Sequence, residues 1–284
     1  FAAGGPVDLE ARIYAKKLGE ITTQKAVVDY KPGAGSSIGA AYVARAPADG
    51  YTLLVGTAGF PLLPSQYKSL SFDILRDFAP ISQLSERTSL LITQNGYPPA
   101  NLREHFAYAK ANPEKLTYGY SSGSSLLVGS WLHSLSGTRV TFVGYKGVGP
   151  ASTDLIAGRV TFMFESLNSV SPHIRSGGLR ALGVSGDQRS TRFPDLPTIA
   201  EASVPGYSAP TWTGLVAPPG TPRAIVDKLN ATANKLFQSK DFEEKFARVG
   251  DELAGGTPED FAKTIKTDLA KWKDVVERSG AKLE

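Results

Sequence analysis

The chain has 284 residues, of which 41% are hydrophobic, and this is enough for one large domain or two modest ones. Its formal net charge of +4 comes without any long basic run, so nucleic-acid binding has little support. The absence of cysteine excludes disulfides, thiolate metal sites and cysteine nucleophiles, and the three histidines are too far apart to suggest a metal site. No apolar run of about 18 residues is present that would span a membrane.

The first residues, Phe1-Ala2-Ala3-Gly4-Gly5, are typical of a loop that follows a strand. We therefore expect that a signal peptide and a first strand precede Phe1. Pro6 suits the first position of a helix, because the amide that proline lacks would be unpaired there. Asp8 and Glu10 fall in the first turn of this helix, where the helix dipole favours acidic side chains.

Strand-like and helix-like segments then alternate along the chain. Apolar runs predict strands at 26–28, 52–55, 79–84, 89–93, 116–120, 140–143, 160–164, 179–184 and 212–216. Capping residues and apolar spacing predict helices that begin near Ser36 or Ser37, Asn101, Ser125, Pro150, Ser169, Thr221-Pro222 and Thr257-Pro258. This alternation predicts an α/β fold with parallel strand pairing and right-handed crossovers, built as two similar lobes.

Three loops are candidates for ligand binding, because ligands of open parallel sheets bind at the carboxyl ends of strands. In 1–6, two glycines let the backbone approach a ligand, and the amides that begin the next helix form an anion site. In 120–125, serine hydroxyls and amides suit carboxylate oxygens. The third loop is 56–59. Each has a purely structural alternative, as a glycine turn, a serine cap or an ordinary connection.

Three further side chains follow predicted strands. Tyr145 and Phe164 can pack against the carbon skeleton of a solute, or serve as core or rim aromatics. Glu165 is unusual in a site for a carboxylate. It would have to meet a hydroxyl, an amine, a water or a protonated acid group there, and its structural alternative is to cap the following turn.

Two enzyme motifs are weak. The glycines of 33–39 resemble a dinucleotide fingerprint, but the spacing is one residue too long and no acid follows the next strand. The string 119–123 matches the G-x-S-x-G pattern of a nucleophile elbow in a strand–turn–helix context, and a triad would then use Asp154 or Asp187 with His173. However, His173 falls inside a predicted helix rather than in a late loop, and the same string occurs a second time. We therefore predict that the protein is not an enzyme.

Short segments in a fixed order extend over essentially the whole chain. They are Phe1-Ala2-Ala3-Gly4-Gly5-Pro6-Val7-Asp8, Lys31-Pro32-Gly33-Ala34-Gly35, Ala48-Asp49-Gly50-Tyr51-Thr52-Leu53-Leu54, Asp77-Phe78-Ala79-Pro80, Tyr145-Lys146-Gly147, Leu179-Arg180-Ala181-Leu182, Asp195-Leu196-Pro197-Thr198 and Gly280-Ala281-Lys282-Leu283. As an ordered set they resemble the Bug family, the extracytoplasmic solute receptors linked to tripartite tricarboxylate transporters. No single segment is specific to that family.

The resemblance implies a periplasmic clamshell of two Rossmann-like α/β lobes, joined by crossing strands, with the ligand in the cleft. Lobe one is predicted at 1–97 plus 212–284, and lobe two at 98–211. The implied function is capture of a small carboxylate by hinge closure, without a cofactor or a metal. The implied partners are transporter subunits or a sensor, and the receptor is expected to be a monomer.

The resemblance also implies which residues contact the solute. The predicted contacts are Phe1, Ala3, Gly4, Gly5, Thr57, Ala58, Phe60, Ser121, Ser124, Ser125, Tyr145, Phe164 and Glu165. In this family, backbone amides and waters at the first loop hold one carboxylate end, which places that role on Ala3, Gly4 and Gly5 here. The family often has an aspartate where this chain has Glu165. Phe60 is bulkier than the small polar residue expected there, so it narrows the pocket or stacks on a ring.

A dicarboxylate is the predicted solute, because both lobes offer anion-binding loops. The aromatic side chains leave an aromatic acid, such as a phthalate isomer, as a second possibility. Two alternative functions stay open at this point. One is a serine hydrolase that uses Ser121 in the same cleft, and the other is a receptor that serves a sensor without transport.

Overall fold

The structure is a computed structural model that describes residues 6–67, 69–113, 115–121, 123–191, 193–249 and 251–279. Within these residues the chain divides into two compact units. Unit 1 comprises 6–86 and 211–273, and unit 2 comprises 87–210 and 274–279. The predicted boundaries of the two lobes stay a prediction.

Helices and strands alternate in both units, and the predicted α/β class is confirmed. The helices are α1 (Pro6–Thr22), α2 (Ser37–Ala44), α3 (Leu63–Gln66), α4 (Leu102–Ala111), α5 (Gly123–Ser136), α6 (Val148–Ile156), α7 (Leu167–Arg175), α8 (Ile199–Ala202), α9 (Arg223–Phe237), α10 (Lys240–Val249) and α11 (Pro258–Ser279). The strands are β1 (Leu54–Thr57), β2 (Ala79–Arg87), β3 (Ser89–Gln94), β4 (Thr117–Tyr120), β5 (Thr141–Gly144), β6 (Phe162–Ser166), β7 (Leu179–Val184), β8 (Thr211–Ala217) and β9 (Glu252–Gly255). In the described part of the chain, every helix is too short or too polar to cross a membrane.

Side chains adjacent in sequence set several helix starts. The Asn101 side chain accepts a hydrogen bond from the Glu104 amide at 3.0 Å, which begins α4 where the sequence predicts it. At the start of α11, the Thr257 hydroxyl accepts from the Asp260 amide at 3.1 Å, and the Asp260 carboxylate accepts from the Thr257 amide at 2.9 Å. Such caps satisfy amides that have no partner within the helix.

Two predicted caps are wrong. The Thr221 hydroxyl donates to the carbonyl of Pro218 at 2.8 Å, so it is engaged in the preceding turn, and Pro222 is the residue before α9. Ser36 precedes α2, but its side chain forms no capping bond, because Ser36 ends a 3-10 turn with a left-handed backbone (φ 85°). The capping pattern in sequence does not reveal which way the preceding backbone turns.

Each unit has its own sheet. The sheet of unit 1 has the order β1-β8-β2-β9, with antiparallel pairing of β1 with β8 and of β2 with β9. The sheet of unit 2 has the order β5-β4-β6-β3-β7. There β4 pairs in parallel with β5 and β6, whereas β3 is antiparallel to both β6 and β7. The prediction of parallel pairing is therefore confirmed for β4 with β5 and β6. It is wrong for the antiparallel pairs β1–β8, β2–β9, β3–β6 and β3–β7, because the alternation of strands and helices in sequence does not reveal which strand inserts between two others.

The strand predicted at 26–28 does not form. The residues at 25–33 have neither helical nor strand structure, and Val27 is 74% exposed. A cleft of about 1120 Å³ is lined on one side by this segment and on another by β1, with α1, α2 and α9 completing the wall. A strand requires a hydrogen-bonded neighbour, and the cleft separates the segment from the edge of β1.

Unit 1 packs a core against each face of its sheet. Leu215 and Val216 are successive on β8 and therefore point to opposite faces. Val216 belongs to a cluster with Phe261 of α11, and Leu215 belongs to a second cluster with helices α1, α9 and α10. Gly214 makes room for this arrangement, since a Cβ atom there would lie 2.2 Å from the Phe261 ring.

Unit 2 contains an aromatic cluster around Phe162 of β6. The Phe162 ring lies 4.7 Å from His105, 5.4 Å from Tyr118 and 5.5 Å from His133, between ring centroids. All four side chains are buried, and the two histidines are 0% and 6% exposed. The cluster joins α4 and α5 to the centre of the sheet, and it contains two of the three histidines of the chain.

Candidate functional site

The predicted contacts fall into three groups. Phe1, Ala3, Gly4 and Gly5 lie outside the described residues. Unit 1 carries Thr57 at the end of β1, with Ala58 and Phe60 in the loop that follows. Unit 2 carries the rest, at the ends of β4, β5 and β6 and at the start of α5: Ser121, Ser124, Ser125, Tyr145, Phe164 and Glu165.

Hydrogen bonds fix the loop after β1. The Thr57 hydroxyl oxygen accepts from the Gly59 amide at 3.2 Å, and the Thr57 carbonyl accepts from the Phe60 amide at 2.7 Å. The Ala58 amide donates to the carbonyl of Trp212 at 3.0 Å, which ties the loop to β8. An ionised carboxylate can only accept hydrogen bonds, so a solute carboxylate would bind to the hydroxyl proton of Thr57.

Phe60 is a core residue of unit 1. Its side chain is 1% exposed, and its ring packs edge-on against Phe78 at 5.0 Å. Among the predicted contacts that the structure describes, it is also the one that lines the cleft of about 1120 Å³. Contact between Phe60 and a solute stays a prediction.

The structure brings together the loops that follow β4 and β6. These strands are parallel neighbours, so their carboxyl ends meet at one edge of the sheet. The Ser121 hydroxyl donates to Oε1 of Glu165 at 3.2 Å, and the Ser121 amide donates to the Ser125 hydroxyl at 3.1 Å. Two hydroxyl groups and one carboxyl group, all predicted as contacts from the sequence, therefore form one hydrogen-bonded group.

Glu165 is nearly buried, with 8% of its surface exposed. Burial raises the pKa of Glu165 above its ordinary value, while hydrogen bonds from the Ser166 amide and the Ser121 hydroxyl act in the opposite direction. The Ser166 amide donates to Oε2 at 3.2 Å, so Glu165 also fits its structural alternative as a turn cap. The carboxyl group is thus held at the edge of the sheet by two donors.

The two aromatic contacts have partners within unit 2. The Tyr145 hydroxyl donates to Asp154 at 3.0 Å, and Asp154 also pairs with Arg159 at 2.7 Å. Phe164 is 3% exposed and stacks on Tyr207 at 6.1 Å. These contacts match the structural alternative for both residues, and their contact with a solute stays a prediction.

Tyr118 supports the site and was not singled out from the sequence. Its hydroxyl donates to the carbonyl of Ser125 at 2.6 Å, which fixes the first turn of α5. Tyr118 lies in the middle of β4 and is fully buried, so the sequence pattern of the strand indicates only a core position. That its hydroxyl bonds to the loop follows from the packing of α5 on β4.

The contacts around Ser121 differ from those of the triad considered in the sequence. Its hydroxyl donates to the carboxyl group of Glu165, whereas that triad would direct it to the imidazole of His173. His105 and His133 lie in the aromatic core, and His173 lies on α7. Among the described residues, no group of three or more histidine and acidic side chains is placed to hold a metal ion.

Comparison with known proteins points to one family. Residues 10–281 match the family described as tripartite tricarboxylate transporter family receptor. BugT of Bordetella pertussis is 35% identical over 293 residues, which cover 100% of this chain and 88% of BugT. A protein of R. palustris, solved with adipate, is 34% identical with a TM-score of 0.80 over 99% of this chain and 95% of its own. MatC from Rhodopseudomonas palustris, solved with bound malate, is 30% identical with a TM-score of 0.76 over 97% and 96%.

Proposed function

The chain belongs to the tripartite tricarboxylate transporter receptor family, whose members are solute-binding receptors and not enzymes, and from this premise we propose that it captures a small dicarboxylate. Capture takes place in the periplasm, and the loaded receptor delivers the solute to a membrane transporter. Two structural relatives were solved with adipate and with malate. Both compounds carry two carboxylates on a short aliphatic chain, which supports a dicarboxylate.

The observation that carries the proposal is the hydrogen-bonded group of Ser121, Ser125 and Glu165. It lies where β4 and β6 end, the position at which open α/β sheets bind ligands. Hydrogen bonds from hydroxyls and amides to an ionised carboxylate are stronger than bonds between neutral groups. Thr57 offers a hydroxyl in unit 1, and the amides of Ala3, Gly4 and Gly5 are proposed to hold the second carboxylate.

Closure of the two units around the solute is part of the proposal. A solute that binds to both units favours the state in which both can reach it, by its difference in affinity for the two states. The proposed contacts contain no arginine, so the anion is held by amides and hydroxyls. The affinity then depends on how many of these donors the closed state aligns at once.

A binding screen tests the proposal. Thermal shift and calorimetry are applied to adipate, malate, phthalate isomers, monocarboxylates, amines and sugars. We expect stoichiometric binding of an unchanged dicarboxylate, and a rise in Tm that grows with its concentration. Binding of amines or sugars alone would show that the proposed solute class is wrong.

Glu165 predicts a pH dependence of binding. When ionised, it opposes a nearby solute carboxylate, and when protonated it donates a hydrogen bond to it. Because burial raises the pKa of Glu165, the side chain takes up its proton at a higher pH than an ordinary glutamate does. We expect the wild-type affinity for adipate to rise from pH 8 to pH 5.5. Glu165→Gln is expected to bind adipate about tenfold more tightly than wild type at pH 8, a difference of about 1.4 kcal/mol.

The matched control is Asp187→Asn, which removes a charge from an exposed position of the same unit. It is expected to leave both the affinity and its pH dependence unchanged. Weaker adipate binding by Glu165→Gln at pH 8 would show instead that Glu165 accepts a hydrogen bond from the solute. An unchanged affinity would place Glu165 outside the site.

A further inference from the structure

A buried ring of three oxygen atoms lies in unit 1, apart from the proposed solute contacts. It joins Glu10 of α1, Ser85 of β2 and Thr213 of β8. Oε2 of Glu10 lies 2.7 Å from the Ser85 hydroxyl oxygen and 2.5 Å from the Thr213 hydroxyl oxygen, and the two hydroxyl oxygens are 2.8 Å apart. The three side chains are 0%, 2% and 5% exposed. Each side of the triangle therefore has the length of a hydrogen bond.

Three hydrogen bonds in a ring need three protons. Ser85 and Thr213 supply one each, because a hydroxyl group carries a single proton. A third proton on Oε2 of Glu10 completes a cycle in which each oxygen donates once and accepts once. With Glu10 ionised, one side of the triangle would be two oxygens in contact without a proton between them, in a buried place where such a contact is costly.

The surroundings of Glu10 favour the protonated form. Burial and then the negative charge of Asp251 raise the pKa of Glu10 to about 7, while the bonds from Thr213 and Ser85 act in the opposite direction. The Asp251 carboxylate is also a second acceptor for the Glu10 proton, in competition with the ring. Asp251 is itself 3% exposed and directly precedes β9. Two buried carboxyl groups in contact disfavour the state in which both are ionised.

Other ionisable groups lie on the same helix and on the elements packed against it. On α1, Asp8 pairs with Arg12 and Tyr30, Lys17 pairs with Asp241 of α10, and Tyr14 is buried. Next to the ring in sequence, Glu86 and Glu252 are opposite each other in the β2–β9 ladder. Ser85 and Glu86 are successive on β2, so their side chains point to opposite faces of the sheet. Asp251 is thus the group that acts electrostatically on Glu10.

The ring joins α1 to two particular strands. The chain passes from unit 1 to unit 2 at the end of β2, and it returns at the start of β8. Ser85 lies two residues before the end of β2, and Thr213 lies two residues after the start of β8. A single side chain of α1 therefore contacts both connecting strands.

We propose that Glu10 is a positioning residue whose proton closes this ring and fixes α1 on the two connecting strands. Loss of the proton loosens unit 1 and weakens solute capture. The effect on stability depends on the ring alone, whereas the effect on solute capture rests on the proposed function.

The direction of the pH effect follows from the folded state holding the proton more tightly than the unfolded chain. The stability from Glu10 is fully present below the ordinary pKa of a glutamate, about 4.3. It is lost as the pH rises through the folded value of about 7. From pH 6 to pH 8.5 we expect the Tm of unit 1 to fall by about 3 °C.

The experiment compares wild type, Glu10→Gln and Asp251→Asn, with Glu244→Gln on the exposed face of α10 as control. Thermal unfolding is combined with amide exchange on β8, which reports on unit 1. Glu10→Gln places either an amide oxygen, which only accepts, or an amide nitrogen, which only donates, at the position of Oε2. It carries no charge and no titrating proton, so its Tm is expected not to fall with pH. In Asp251→Asn the fall is expected to move to lower pH, because the like charge is gone, and Glu244→Gln is expected to follow wild type.

If the Tm of Glu10→Gln falls with rising pH as much as the Tm of wild type does, the proposed proton in the ring is wrong. Adipate affinity at pH 6 and pH 8.5 is the second measurement, and we expect a several-fold loss in wild type relative to Glu10→Gln. Equal losses of adipate affinity in wild type and Glu10→Gln would show that the proton of Glu10 does not affect capture. They would leave the proposed ring itself unaffected. Absence of adipate binding at both pH values would count against the proposed function, and the Tm comparison still decides on the ring.

Discussion

Acidification from pH 7 to pH 4.5 is expected to remove about 5 kcal/mol of stability from unit 2. Burial lowers the pKa of His105 to about 4 and of His133 to about 3, whereas a histidine of the unfolded chain titrates near 6.5. The unfolded chain therefore binds protons first, and stability falls as the pH drops below about 6.5. Each histidine contributes about 2 to 3 kcal/mol to the loss at pH 4.5.

Both histidines are held neutral by their surroundings. Nδ1 of His105 lies 3.1 Å from the Tyr97 hydroxyl, and Nδ1 of His133 lies 2.6 Å from the Thr138 hydroxyl. A charged imidazole would need a second acceptor at Nε2, and in the described structure neither Nε2 atom has a hydrogen-bond partner. Protonation would therefore place a poorly satisfied charge among aromatic rings.

Amide exchange on β4 and β6 measures the effect in unit 2 alone, since a chain of two units need not unfold in one step. His105→Phe and His133→Phe together retain a ring at each position and remove the titrating nitrogens. The double variant is expected to lose most of the acid dependence, and His173→Phe on α7 is expected to retain it. If the double variant keeps the wild-type dependence, carboxyl groups and not these histidines govern acid unfolding.

Phe162→Ala is expected to cost about 3 to 5 kcal/mol in unit 2. Phe162 is fully buried, and it contacts His105, Tyr118 and His133 at the centre of the sheet. Removal of the ring leaves a cavity bounded by strand and helix backbones, which limits collapse. The free energy of unfolding of unit 2, from denaturant dependence of amide exchange, measures the loss.

The matched control is Phe142→Ala. Phe142 and Phe162 flank Tyr118 from the two neighbouring strands and are both paired with it in register, but Phe142 is 37% exposed. Its truncation removes less buried surface and is expected to cost about 1 kcal/mol. Equal costs for the two variants would contradict a core centred on Phe162.

The two pH effects act in opposite directions on different units. Unit 2 loses stability in acid, because two buried histidines must take up protons. Unit 1 is expected to lose stability above neutral pH, because Glu10 must give one up. The stability of the chain is therefore expected to be highest near neutral or slightly acidic pH.

Much of the local structure could be read from neighbouring residues. The starts of α4 and α11 depend on side chains within three residues of the amides they cap, as at Asn101 and Thr257. The strand at 179–184 was predicted at its observed bounds, since an apolar run between turns is also a local signal. The receptor family followed from segments spread in order along the whole chain, although none of them is specific alone.

The α/β class, most of the helices and strands, and the family can be inferred from the sequence without the structure. The packing of the chain is needed to see that β3 inserts antiparallel beside β6 and β7, that Phe60 is buried, and that Ser121 bonds to Glu165, 44 positions away. Glu10 shows the difference most clearly. In the sequence it is a first-turn acid, whereas in the fold it contacts Ser85 and Thr213, 75 and 203 positions away. Caps and periods depend on a few adjacent residues, but such contacts depend on how distant segments pack.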